Sequence, residues 1–226
     1  MSAHRPASYA LLLAAPLFAA GIAVTARGWR QPPYDWRTHN ISDLGNVACG
    51  VWDSSRPRPV CSPWHPLMNG TMIATGLLII AGLLLSWSVL GRGVAVRAVQ
   101  LAALAGAGGY VLAGVHPADV DENRHFLAAL LVFGAGNGAL LLAALPQRSA
   151  VLGPARRVNL LLGLTGAAGT LLFLGQVDLG LGVGAMERVA VLPFLLWTVV
   201  IGSAISPRPE TEREARPDVP ATRSRH

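Results

Sequence analysis

The chain has no lysine, and acidic and basic residues together make up only 13% of its 226 residues. A soluble domain carries roughly 25% charged residues, so the chain has about half the charge of an ordinary water-exposed protein. Two common zinc signatures are missing as well: there is no HExxH and no paired CxxC among the six His and two Cys. The Gly-rich stretch "GLGVGAMER" (Gly180–Arg188) does not follow a strand, so phosphate-loop chemistry is not implied. A net charge of +6 would suit nucleic acid, yet the Arg residues form no stripe with interleaved aromatics. They lie at segment ends and in the tail, where membrane topology accounts for them, and nucleic acid is excluded as a partner.

What is present is apolar, at 52% of residues, and it comes in blocks. A helix needs about 20 apolar residues to cross a bilayer. Six blocks approach that length: 9–26, 66–90, 94–115, 125–145, 158–177 and 186–205. The chain therefore reads as an all-α polytopic membrane protein, a six-helix bundle over residues 1–205. The first block has a basic start and a small-residue run, Val24-Thr25-Ala26, that could serve as a signal cleavage site. Its apolar run is long for a signal peptide, and a retained helix is expected. Residues 206–226 are rich in Pro, Arg and Glu without apolar periodicity, which predicts a disordered tail.

Arg counts set the orientation. With the N-terminus inside, eleven Arg fall on the cytoplasmic side and seven on the other, five of those in the long first loop. Both Cys lie in that loop, and an outward face permits a Cys49–Cys61 disulfide. The expected location is the plasma membrane, with both termini cytoplasmic.

Polar chemistry then sorts to one side. Asp35, Asp43, Asp53, Asp119, Asp121, Glu122, Asp178 and Glu187 all fall on the outer side, with His39, His65, His116 and His125. The other four acids are in the tail, so the two cytoplasmic loops hold none. Acids contribute little to orientation, so sorting of charge does not explain the gathering. His65 and Asn69 are four apart where the second block begins, and share a helix face. His125 opens the fourth block, and Glu187-Arg188 stands at the mouth of the sixth, where each could pair with another helix. An ionisable group at that depth is costly unless it is paired or faces a polar cavity. "HNISDLGN" (His39–Asn46) reads as a loop or short interfacial turn, and Asn137, mid-membrane, as an interhelical hydrogen bond. Gly106 and Gly109, Gly134 and Gly138, and Gly166 and Gly169 are candidates for close helix contact.

"HNISDLGN", "SPWHPLMNG", "GVHPAD" followed by "RHFLAALLVFGAGN", and "GAMERVAVLPFLLW" together resemble the bacterial membrane family catalogued as domain of unknown function 998. The resemblance runs over nearly the whole chain except the tail. More distantly, "ISDLG" with a later His opening a helix is similar to the Frag–DRAM–Sfk membrane proteins, some of which are implicated in remodelling lipid anchors. The motif positions carried over are Ser42, Asp43, Gly45, Asn46, His65, Asn69, His125, Glu187 and Arg188. His116 stands where the family pattern implies an apolar residue, which weakens a zinc triad using it.

These residues point to an outward polar site for a lipid head group or lipid-linked molecule. A hydrolase or acyl transferase would use Asp43 or Glu187 as general base near His125, with Ser42, Asn46, His65, Asn69 and Arg188 binding substrate. His65 and His125 are the candidate ligands should zinc be the cofactor. The rival readings are a small transporter or channel, and a non-catalytic subunit of an envelope complex.

Overall fold

The computed structural model describes residues 4–30, 32–145 and 148–207. The expected tail, 206–226, lies almost wholly outside the described residues.

Among the described residues, six helices are long and apolar enough to cross a membrane. They are α1 (His4–Gly28), α2 (His65–Leu85), α3 (Val94–Val115), a fourth span, α6 (Arg156–Leu174) and α7 (Val183–Ala204). The fourth span, Glu122–Ala143, is compound: α4 (Glu122–Leu130) passes through a π-helical turn, Leu131–Gly136, into α5 (Asn137–Ala143). Consecutive spans pack side by side, and α7 returns against α1, so the bundle closes on itself. An even number of spans puts both ends of the described chain on one side. The loops joining α1–α2, α3–α4 and α6–α7 share the opposite side.

The span ends follow from local chemistry. Pro66 occupies the first turn of α2, where its missing N–H costs nothing. That helix stops at Leu85, five residues short of its apolar run. Beyond it, the backbone N–H and the hydroxyl of Ser86 both donate to the Gly82 carbonyl, at 3.0 and 2.6 Å. The remaining apolar residues form a turn whose Leu90 is fully buried. Asp121 caps α4 by accepting the Arg124 N–H at 3.1 Å.

The α1–α2 loop carries a 3-10 turn (Ser42–Gly45) and a small antiparallel hairpin, β1 (Gly50–Trp52) with β2 (Arg58–Val60), in the register Gly50↔Val60. A Cys49–Cys61 disulfide closes its base. Strand alternation turns Arg58 and Val60 toward the bundle and leaves Pro59 exposed. Val60 joins the core. Cross-linking a loop of this size restricts the unfolded chain by about 2–3 kcal/mol. The double variant Cys49→Ser/Cys61→Ser is expected to speed amide exchange across 50–60, and unchanged protection there would contradict that.

α7 is the most enclosed span, with 61% of its apolar window buried against 22% for α6. Small residues allow this. A side chain on Gly106 would meet the backbone of Gly136, and one on Gly169 would meet the backbone of α7 at Val189–Ala190. Gly109 and Gly166 are similarly occupied, by the Ala128 carbonyl and by Asn137. Gly134 and Gly138, read as contact residues, face open space instead. Asn137 makes an interhelical hydrogen bond: its amide donates to the Ala190 carbonyl at 2.9 Å and to the Thr170 hydroxyl at 3.4 Å.

Candidate functional site

Two adjoining cavities open beneath the α1–α2 loop. The inner one, about 390 Å³, lies among the spans and is lined mainly by apolar side chains, including Phe18, Met72, Tyr110, Val132 and Val191. The outer one, about 710 Å³, is lined by Asn40, Asp53, Arg56, Arg58, Glu122 and Gln176 among others. Ser42, His125, Ala129, Phe133 and Glu187 line both. They form the boundary between an apolar chamber and a polar vestibule. The π-helical turn contributes Phe133 to that boundary and Val132 to the chamber; such turns recur at functional sites.

Glu187 reaches this place because α7 begins at Val183, three residues before the expected start. Gly182 adopts φ 95° and Gly184 donates its N–H to the Arg37 carbonyl at 2.8 Å. A side chain on either would strike the backbone of Arg37 or His39. "GLGVG" is thus a docking edge for the first loop. Glu187 is 5% exposed. Its carboxyl oxygens accept the backbone N–H groups of Ile41 and Ser42, which open the 3-10 turn and have no helical acceptors. Arg188 leaves on another face. It donates to the Tyr34 hydroxyl and, at 3.1 Å, to the His39 carbonyl, and its guanidinium lies 4.9 Å from the Trp36 ring centre. Both residues of the pair therefore bind the loop, not another helix.

His125 is oriented by the backbone. Its Nδ1 lies 2.8 Å from the His116 carbonyl. A carbonyl only accepts, so Nδ1 carries the proton and Nε2 of the neutral ring is left as an acceptor. The Ser42 hydroxyl lines the same boundary.

The other sequence candidates lie elsewhere. Asp43 is 1% exposed and its two oxygens take Arg58 in a fork, Nε at 2.7 Å and Nη2 at 2.6 Å, plus the Asn40 N–H at 2.8 Å. So held, it neutralises a cation, which does not fit the general-base role expected of it. Asn69 donates to the Gly45 carbonyl at 2.9 Å and stands where a side chain on Gly45 would be, which explains the glycine of "DLG". Asn46 is buried, and His65 Nδ1 donates to the Ser62 carbonyl at 3.0 Å. None of Asp43, Asn46, His65, Asn69 or Arg188 lines the chamber or the vestibule. His65 and His125 therefore share no lining, and no group of three or more His, Cys, Asp or Glu able to hold a metal ion occurs among the described residues. A zinc centre on His65 and His125 does not fit this arrangement.

Arg56 and Arg58 were not singled out from the sequence, and only the hairpin brings them to the vestibule. Burial works against the charge of Arg58, but the Asp43 carboxylate outweighs it and holds the guanidinium above its ordinary pKa. Asp53 completes that partnership at 3.3 Å. Burial pulls the Asp53 pKa upward, yet hydrogen bonds from Ser55 and Arg56 and the nearby Arg58 charge keep it below the usual carboxylate range. Arg56 is lowered, first by burial and then by Arg58 beside it.

Six apolar spans around a loop-capped cavity define a multi-pass membrane protein. The chain matches the family described as protein of unknown function (DUF998) over residues 12–204, and it belongs to that family. Neither a curated relative nor a solved structure matches it significantly.

Proposed function

We propose that this protein binds a lipid-class amphiphile at the outer face of the plasma membrane, with the polar head in the vestibule and the apolar part in the chamber. The observation that carries this reading is the shared boundary of Ser42, His125 and Glu187 between an apolar and a polar cavity. The outward orientation rests on the Arg counts and on the disulfide in the same loop.

Within that site the chemistry proposed is hydrolysis or acyl transfer at the head group, with the Nε2 lone pair of His125 as general base toward water or an acceptor hydroxyl. Glu187 holds the loop over the site instead of taking the proton, since its oxygens serve Ile41 and Ser42. A transport path finds no support. Ile79, Phe194 and Trp197, farther along α2 and α7 than the chamber-lining Met72 and Val191, are apolar and fully buried.

The test is native mass spectrometry of the detergent-purified protein, followed by turnover of labelled membrane lipid. A retained amphiphile is expected in the wild type and lost in Ala129→Trp, which fills the boundary. Lipid turnover is expected to vanish in His125→Ala while the amphiphile stays bound. Absence of any retained or added amphiphile would sink the binding reading; turnover unaffected by His125→Ala would sink the catalytic one.

A further inference from the structure

We propose that Arg56 selects amphiphiles whose head group bears a phosphate, an inference that rests on the amphiphile reading and names its ligand class.

Charge in the vestibule is almost entirely committed. Arg58 is matched by Asp43 and Asp53, at 2.6 and 3.3 Å. Glu187 is engaged by the amides of Ile41 and Ser42. Glu122 is an exposed residue among those lining the vestibule. Of the two vestibule guanidinium groups, that of Arg56 is the one without a carboxylate partner among the described residues. It is partly buried, and its guanidinium is held by neutral acceptors, the Thr38 carbonyl and the Asn40 side-chain oxygen, the latter at 2.8 Å. Among the described residues no carboxylate lies within ion-pair distance of it, and its Nε–H is buried without an acceptor. A second guanidinium, that of Arg58, stands close enough to repel it. The carboxylates of Asp43, Asp53 and Glu187 offset this only from beyond ion-pair distance, so burial and Arg58 together keep Arg56 below its ordinary pKa.

A partly buried cation without a counterion is costly, and a fixed one is a recognition group in waiting. The two neutral acceptors hold the guanidinium plane in place, and the fork geometry of Arg suits phosphate and carboxylate oxygens. Phosphate fits this site better than carboxylate. Asn40 keeps its amide N–H groups after its oxygen has taken Arg56, and Ser42 contributes a hydroxyl from the boundary. A phosphate spreads its acceptor oxygens tetrahedrally, so it meets donors arriving from several directions better than the coplanar acceptor sites of a carboxylate do. The phosphate of a membrane phospholipid also stands next to its apolar part, as the vestibule stands next to the chamber.

The experiment is calorimetric titration of the full chain in an uncharged maltoside micelle. The probes are dihexanoyl phosphatidic acid, dihexanoylglycerol, decanoic acid and inorganic phosphate. Phosphatidic acid is expected to bind at least roughly tenfold tighter than dihexanoylglycerol, the worth of a charge-assisted hydrogen bond. Arg56→Gln should erase that difference while leaving dihexanoylglycerol binding unchanged. Should Arg56→Gln not purify as a folded protein, Arg56→Lys retains charge without the fork and should weaken phosphatidic acid selectively. Phosphatidic acid and dihexanoylglycerol binding equally to the wild type would overturn the Arg56 proposal and leave the amphiphile reading standing. So would decanoic acid matching phosphatidic acid, or a selectivity that survives Arg56→Gln. Inorganic phosphate binding as tightly as phosphatidic acid would assign the site to the free anion and overturn its lipid form. If no amphiphile binds at all, both readings fall.

Discussion

Arg58→Met is expected to destabilise the protein by about 3–5 kcal/mol, the range for removing one partner of a buried ion pair. The two side chains are 6% and 1% exposed, so little solvent is available to screen what remains. The loss comes chiefly from Asp43, whose carboxylate would keep only the Asn40 N–H while staying out of water. It should be felt where the loop is held, because Asp43 lies in the 3-10 turn and Arg58 on β2. Without the pair, the hairpin is still tied by His39, which donates from Nε2 to the Pro59 carbonyl at 2.9 Å, by Arg56 on Thr38 and Asn40, and by Val60 in the core. The double variant Asp43→Leu/Arg58→Met should recover much of the loss, since apolar replacement of both partners leaves no buried charge. Thermal unfolding in detergent and amide exchange across 40–60 read both effects. A single variant with an unchanged melting temperature and unchanged exchange would refute the ion pair as a structural element.

Glu187→Ala carries the second large effect. It strands the N–H groups of Ile41 and Ser42 under the loop, and each unsatisfied buried donor costs about 1–3 kcal/mol, giving roughly 3–5 kcal/mol with the lost packing. Glu187→Gln keeps one acceptor oxygen and should lose about half as much. The functional consequence follows from position. Ile41 and Ser42 line the chamber, so release of the turn removes part of its wall and amphiphile retention should fall with it. Exchange rates of those two amides are the direct readout. Full protection of both in Glu187→Ala, with ligand retention intact, would mean that the loop is held by other contacts.

Both effects depend on pairings that a linear reading could not supply. Asp43 and Arg58 are fifteen residues apart, and their meeting depends on the hairpin register that turns Arg58 inward. Glu187 and Ile41 are 146 residues apart, and their meeting depends on where α7 begins. That start lies three residues before the apolar block, within a Gly-rich run that signals a loop, whereas Gly182 and Gly184 are there so that another backbone can approach. The gathering of acids and His on one side was legible. Its division into structural and cavity-lining members was not: Asp43 and Asn69 bind the loop, while His125 and Glu187 line the cavities. Arg56 left no local signal, since an Arg between Ser55 and Pro57 looks like any polar turn.

Span number and the shared side of the three polar loops were determined by the sequence alone. The physical reason is that a bilayer imposes a length, so blocks of about 20 apolar residues can be counted without knowing how they pack. Which polar groups meet was decided only by the tertiary structure. Hydrogen bonds and ion pairs act over a few ångströms between segments far apart in the chain, and close backbone approach at Gly45, Gly182 and Gly184 sets those distances.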